Sequence, residues 1–162
     1  MFKKTIMKAK KMFLRFGLLI AGLGILIQLV PYGRNHTNPP VIQEPNWDSP
    51  QTRELAKLAC FDCHSNETTW PWYANIAPVS WIVQHDVDEG RRKLNFSEWS
   101  GGRREAERAH EIIETIQEGE MPPPIYLLTH PQAYLTPEEK QLLIQGLQET
   151  SQLSVANNGA QP

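Results

Sequence analysis

Cys60-Phe61-Asp62-Cys63-His64 is the stretch on which the reading of this chain turns. Two thiols three residues apart, followed at once by an imidazole, form the attachment signature of a c-type haem. The spacing has a physical basis. Each thiol adds across one vinyl group of a rigid porphyrin, and two cysteines three apart span the separation of the two vinyls. The next residue then sits under the iron, where imidazole is a good ligand. Cys60 and Cys63 are accordingly the candidate covalent attachment points and His64 the candidate proximal ligand. Three other readings use the same residues. A thioredoxin-like redox pair would sit beside a βαβ pattern, which is missing here. A disulfide across so short a helical loop is strained. Zinc needs a second ligand pair, and the chain has only two cysteines.

Working outward, Ser49-Pro50 is a helix start, with Ser49 as cap and Pro50 at the first helical position. That helix leads through Leu55, Leu58 and Ala59 to the cysteines. Asn66 to Pro78 reads as a loop. Ser80 to about Arg92 reads as a second helix, with Trp81, Ile82 and His85 on one side by their spacing. Another loop covers Asn95 to Gly102. A third helix is predicted from Arg103 to Glu118, with Ala106, Ala109, Ile112, Ile113 and Ile116 as its apolar stripe and Gly119 as its stop. Glu120-Met-Pro-Pro-Pro124 is read as non-helical. Thr136-Pro137-Glu138-Glu139 is a capping box opening a last helix to about Glu149. No alternating strand pattern occurs. The expectation is an all-α domain over residues 49–150, followed by a polar, disordered tail over 151–162. Its long loops imply that something other than side chains fills the centre.

An electron carrier needs a second axial ligand. Met121 is the leading candidate, because its thioether is soft and the prolines after it stiffen its loop. His85 is the alternative, expected to point inward with Trp81 and Ile82. Trp70, Trp72, Tyr73 and Trp81 are candidate walls of a haem crevice, although ordinary core packing would bury them equally. His110 is expected to face solvent, His130 to be a loop residue bonded to backbone, and His36 to lie in a linker.

The charge is unevenly spread. The whole chain carries −2, but six of its sixteen basic residues fall within residues 1–15, which hold no acid. The remainder is therefore about −8, which argues against nucleic acid as a partner and suits a basic protein partner. The basic stretch precedes the apolar run Phe16 to Val30, in which Gln28 is the only polar residue. Counted back to Met12, with Arg15 snorkelling, the run approaches the length of a tilted transmembrane helix. Residues 1–30 are thus expected to be an uncleaved signal anchor, with a cleaved signal peptide as the rival. Residues 31–48, rich in Pro and Asn, read as an extended linker. The basic flank orients such an anchor as a single pass in the inner membrane, with the following domain on the periplasmic side.

The order of features resembles small cytochromes c: a capped helix ending in Cys60-x-x-Cys63-His64, then Met121-Pro122, then Leu135-Thr-Pro-Glu-Glu139 opening a terminal helix. More closely, Cys60-Phe-Asp-Cys-His-Ser-Asn-Glu, Trp70-Pro-Trp-Tyr-Ala-Asn-Ile-Ala-Pro-Val-Ser-Trp81, Leu94-Asn-Phe-Ser-Glu-Trp99 and Gly119-Glu-Met-Pro122 are similar to the bacterial haem-binding domain family, over about residues 33 to 150. The resemblance implies a membrane-associated or periplasmic protein with one covalent haem c. Three functions compete. One is electron transfer to a redox protein partner, with His64 and Met121 bound in both oxidation states. Another is a sensor or peroxide-reacting domain with a displaceable distal ligand and His85 as acid–base group. The third is structural, a haem-bearing module that docks onto a larger complex.

Overall fold

The computed structural model of the protein describes residues 2–158. Among the described residues seven α-helices follow in order: α1 (Phe2–Ile27), α2 (Pro50–Ala59), α3 (Phe61–His64), α4 (Val79–Lys93), α5 (Arg103–Glu118), α6 (Pro124–Thr129) and α7 (Pro137–Asn158). Single 3-10 turns occupy Trp72–Asn75 and Pro131–Ala133. Among the described residues no strand forms; Gln43 and Glu98 make an isolated parallel bridge. The described residues are all-α, as their patterning implies.

Two compact units form. The first takes the residues up to His36 together with Pro71–His85. Its α1 corrects the expected membrane anchor over residues 1–30. No helix among the described residues is long and apolar enough to cross a membrane. The helix ends at Ile27, so Gln28, Leu29 and Val30 do not extend it. Its uncharged part, Phe16–Ile27, spans only about 18 Å at the rise of an α-helix, against about 30 Å of bilayer core. Any longer stretch takes in Arg15, and then Lys11 and Lys10. The single-pass, inner-membrane placement with a periplasmic domain falls with that span. Gln28 instead ties the end of α1 to the 71–85 segment: its amide nitrogen donates to the Ala77 carbonyl at 2.9 Å, and its amide oxygen accepts from Ala77 N at 3.0 Å.

The second unit, Thr37–Trp70 and Asp86 onward, holds the attachment motif. Ser49 accepts from Thr52 N at 3.2 Å and Pro50 opens α2, so the start read from sequence is the one observed. Such a cap contributes about 1 kcal/mol. α2 and α5 both pack against α7. Leu55, Ala56, Ala109, Ile112, Ile113, Ile116, Leu143, Ile144 and Leu147 form one core cluster with Phe61, Leu94, Phe96 and Trp99. The aromatic rings are in register: Phe61 and Phe96 stack at 5.6 Å, and Phe96 and Trp99 at 6.2 Å. Burying each large side chain contributes about 1.5–3 kcal/mol.

Three sequence expectations change in this unit. The segment read as a linker is extended but fastened: Ile42 N donates to Ser97 O at 2.8 Å, Trp99 N to Gln43 O at 2.9 Å, and Glu44 accepts from Nε and Nη2 of Arg53, each at 2.7 Å. Asp48 N meets Thr150 Oγ1 at 3.1 Å. The tail read as disordered continues α7 to Asn158, because Thr150 and Ser154 are buried and Trp99 Nε1 donates to Ser154 Oγ at 3.0 Å; residues 159–162 lie outside the described residues. Between Met121 and the capping box, Pro124 begins the short α6 from its first position, where a missing N–H costs nothing.

Candidate functional site

Cys60 joins α2 to α3. Its N–H donates to Ala56 O at 2.8 Å, closing α2, and its carbonyl accepts from Cys63 N at 3.2 Å and His64 N at 2.8 Å, opening α3. One helical turn therefore carries Cys60, Cys63 and His64 at i, i+3 and i+4, on one side, while Phe61 turns to the core. Both thiols are free and partly exposed. Burial, with Cys63 beside it, pushes the Cys60 thiol up to about 12. Burial also pushes Cys63 up to about 12, aided by the Asp62 and Asp86 carboxylates and opposed by Arg91. Redox-active thiol pairs work through a depressed, thiolate-forming cysteine; these two stay protonated at neutral pH. No cluster of three or more His, Cys, Asp or Glu side chains that could hold a metal ion forms among the described residues, so the zinc reading has no second ligand pair.

His64 is buried, with 7% of its surface exposed. Its Nδ1 lies 3.1 Å from the Leu94 carbonyl oxygen. A carbonyl only accepts, so Nδ1 carries the proton and Nε2 keeps a lone pair. Burial holds the imidazole below its ordinary value, against the raising effect of the Leu94 and Gly90 backbone groups, which keeps it neutral. A neutral imidazole fixed by a backbone carbonyl through one nitrogen is the usual arrangement of a metal-ligating histidine. The Leu94–Phe96 strip is itself held, since Phe96 N donates to His64 O at 2.8 Å.

Met121 and Cys60 both pack, half-buried, against the same core cluster. Gly119, in the left-handed conformation with φ 81°, ends α5, and both Glu120 N and Met121 N return to Thr115 O, at 2.9 and 3.2 Å. Met121 is thus fastened by its backbone to the last turn of α5. Trp70 is in this unit too, its Nε1 donating to Asn38 Oδ1 at 3.0 Å.

Trp72, Tyr73, Trp81 and His85 belong to the other unit. Trp72 is 76% exposed and meets Tyr73 edge-on at 5.8 Å. His85 and Ile82 are exposed, which corrects the inward placement expected of them. The covered positions of α4 are Ser80, Val87 and Gly90, and His85 lies on the opposite side of the helix from Val87. His110 is exposed beside Glu114, and His130 bonds the Tyr126 carbonyl through Nδ1 at 3.2 Å.

Sequence reading overlooked Asp62, Tyr126 and Gly90. Tyr126 Oη donates to Asp62 Oδ2 at 2.7 Å, across 64 residues, and no local pattern announces such a pair. Gly90 did carry a signal: glycine inside a helix costs about 1 kcal/mol, so a close neighbour is the usual reason for it. That neighbour is Cys63.

A family model described as a haem-binding domain matches residues 22–149. No curated protein and no solved structure matches the chain.

Proposed function

The chain belongs to the haem-binding domain family, and on that premise we propose that it carries one haem c, joined through thioethers to Cys60 and Cys63, and passes single electrons to a protein partner. The donor set fits the group. Two protonated thiols share a face of one turn with an imidazole whose Nε2 lone pair is free of the Leu94 bond. That tautomer is the observation that carries the reading, because it is what an iron ligand requires and what a thioredoxin-like pair does not use. Haem supplies a one-electron couple when bound. The residues of the chain do the rest. His64 is oriented by Leu94 and burial holds it neutral; Cys60 and Cys63 would hold the ring on their turn, and Met121, stationed by Thr115 and packed on the same core as Cys60, would be the second iron ligand. Exposure of His85 favours Met121 over it. The acidic balance beyond the first fifteen residues favours a basic redox protein as partner.

The test is expression in a host able to mature c-type haem. The reading expects the mass of the polypeptide plus one haem, a Soret band that survives denaturation, and loss of both in Cys60→Ala/Cys63→Ala. A polypeptide of bare mass overturns it. In the oxidised holoprotein a sulfur-to-iron charge-transfer band, absent in Met121→Ala, assigns the distal ligand. Ready uptake of carbon monoxide by the reduced wild type would support the sensor or peroxide-reacting reading instead.

A further inference from the structure

Asp62 is one of the two residues between the cysteines, and its carboxylate is fixed from two sides. Oδ1 accepts from Thr69 N at 2.8 Å and Oδ2 accepts from Tyr126 Oη at 2.7 Å. Tyr126 lies in α6, five residues beyond Met121. Its ring stacks on His130 at 4.0 Å, with the planes 10° apart, and His130 Nε2 stands 3.9 Å from the same Asp62 oxygen. α6 has no buried residue: Ile125 is 71% and Leu128 82% exposed. Apolar burial therefore holds this helix only through the half-buried Tyr126 and Leu127, and the Tyr126–Asp62 bond ties it directly to the attachment turn. At its other end, the segment is tied through Glu120 N and Met121 N to Thr115 O. Met121 is thus at the first of these fastenings and five residues before the second.

We propose that Tyr126 is a positioning residue for distal ligation: its bond to Asp62 latches the Met121 segment onto the turn that bears Cys60, Cys63 and His64. This rests on the reading of Met121 as the distal ligand. A thioether is a weak, neutral ligand. It stays bound because its chain keeps it close, at a high effective concentration. Releasing the Tyr126 fastening lets the segment sample open arrangements, and an external ligand then competes better. Asp62 thereby links the proximal side of the site, through its own turn, with the distal side, through Tyr126.

Tyr126→Phe keeps the ring and its stack on His130 and removes only the hydroxyl. In the oxidised holoprotein the latch expects a weakened sulfur-to-iron band and an affinity for added imidazole raised about tenfold, the scale of losing one charge-assisted hydrogen bond. Asp62→Ala, which removes the acceptor, must give a similar rise, and the double variant no more than either single one. If the wild type shows the band while both variants keep it, with imidazole affinity within about twofold of wild type and only a lower melting temperature, the latch is overturned and Tyr126 is merely structural. If the wild type lacks the band and Met121→Ala changes neither spectrum nor imidazole affinity, the Met121 reading fails, and the latch with it. Should Tyr126→Phe not mature, Asp62→Ala alone decides by the same two readouts.

Discussion

Gly90 of α4 lies flush against Cys63: a Cβ built on Gly90 would stand 2.8 Å from the Cys63 carbonyl carbon and 2.9 Å from the Cys63 Cβ. Both neighbours are on the attachment turn and neither is the end of a flexible side chain. Gly90→Ala is therefore expected to push α4 and α3 apart, at a cost of about 1–3 kcal/mol. Chemical denaturation of the holoprotein reads the loss. A reduced yield of covalently attached haem should accompany it, since His64 and Cys63 ride on the displaced turn.

The α2–α7 contact makes a second case. A Cβ on Gly146 would meet the buried Thr52 side chain, 2.8 Å from Thr52 Cβ. Gly146→Ala is expected to destabilise the protein by about 1–3 kcal/mol. Thr52→Ala should recover part of that when combined with it, although Thr52→Ala alone removes the Thr52–Ser49 hydroxyl contact. A double-mutant cycle of unfolding free energies measures the recovery, and strict additivity would contradict the clash.

Acid sensitivity follows from Glu44. The Arg53 hydrogen bond holds its carboxyl below the ordinary 4.5, with Trp47 assisting and burial opposing. The unfolded chain, lacking those partners, binds a proton more readily. Its stabilising contribution is therefore present above about 4.5 and is lost as pH falls through the lower, folded value. Glu44→Gln should show lower stability at neutral pH and a shallower acid limb, measured as denaturation midpoint against pH.

Ser154 accepts the Trp99 indole N–H in a buried setting. Ser154→Ala leaves that donor unpaired, with an expected loss of about 1–3 kcal/mol. Hydrogen exchange should show faster amide exchange over the last turns of α7 in this variant, with α2 little changed.

How much of this was legible in the sequence depends on how locally each signal is encoded. The attachment turn, the ends of α5 and the capping box at Thr136 are local features. The box closes as read, with Thr136 N donating to Glu139 Oε2 at 2.8 Å and Glu139 N to Thr136 Oγ1 at 3.2 Å. The extension of α7 was hidden because residues 151–158 are mostly polar. What stabilises them is Trp99, more than fifty residues away. α6 was hidden by the run Pro122-Pro123-Pro124, the last of which is its first residue. His85 misled because Trp81 and Ile82 beside it look like a stripe, whereas close packing at Gly90 sets which side of α4 is covered. The apolar run near the start approaches membrane-spanning length by composition when counted back to Met12. Termination of α1 at Ile27 and the cations behind Phe16 are what shorten it.

The contact between Asp48 and Thr150 has a topological consequence. Asp48 N and Thr150 Oγ1 touch although 102 residues separate them, so the stretch they bracket leaves and returns at nearly one point. Closing a loop of that length gives up chain entropy before any contact is gained, so this is a junction that a folding chain completes late.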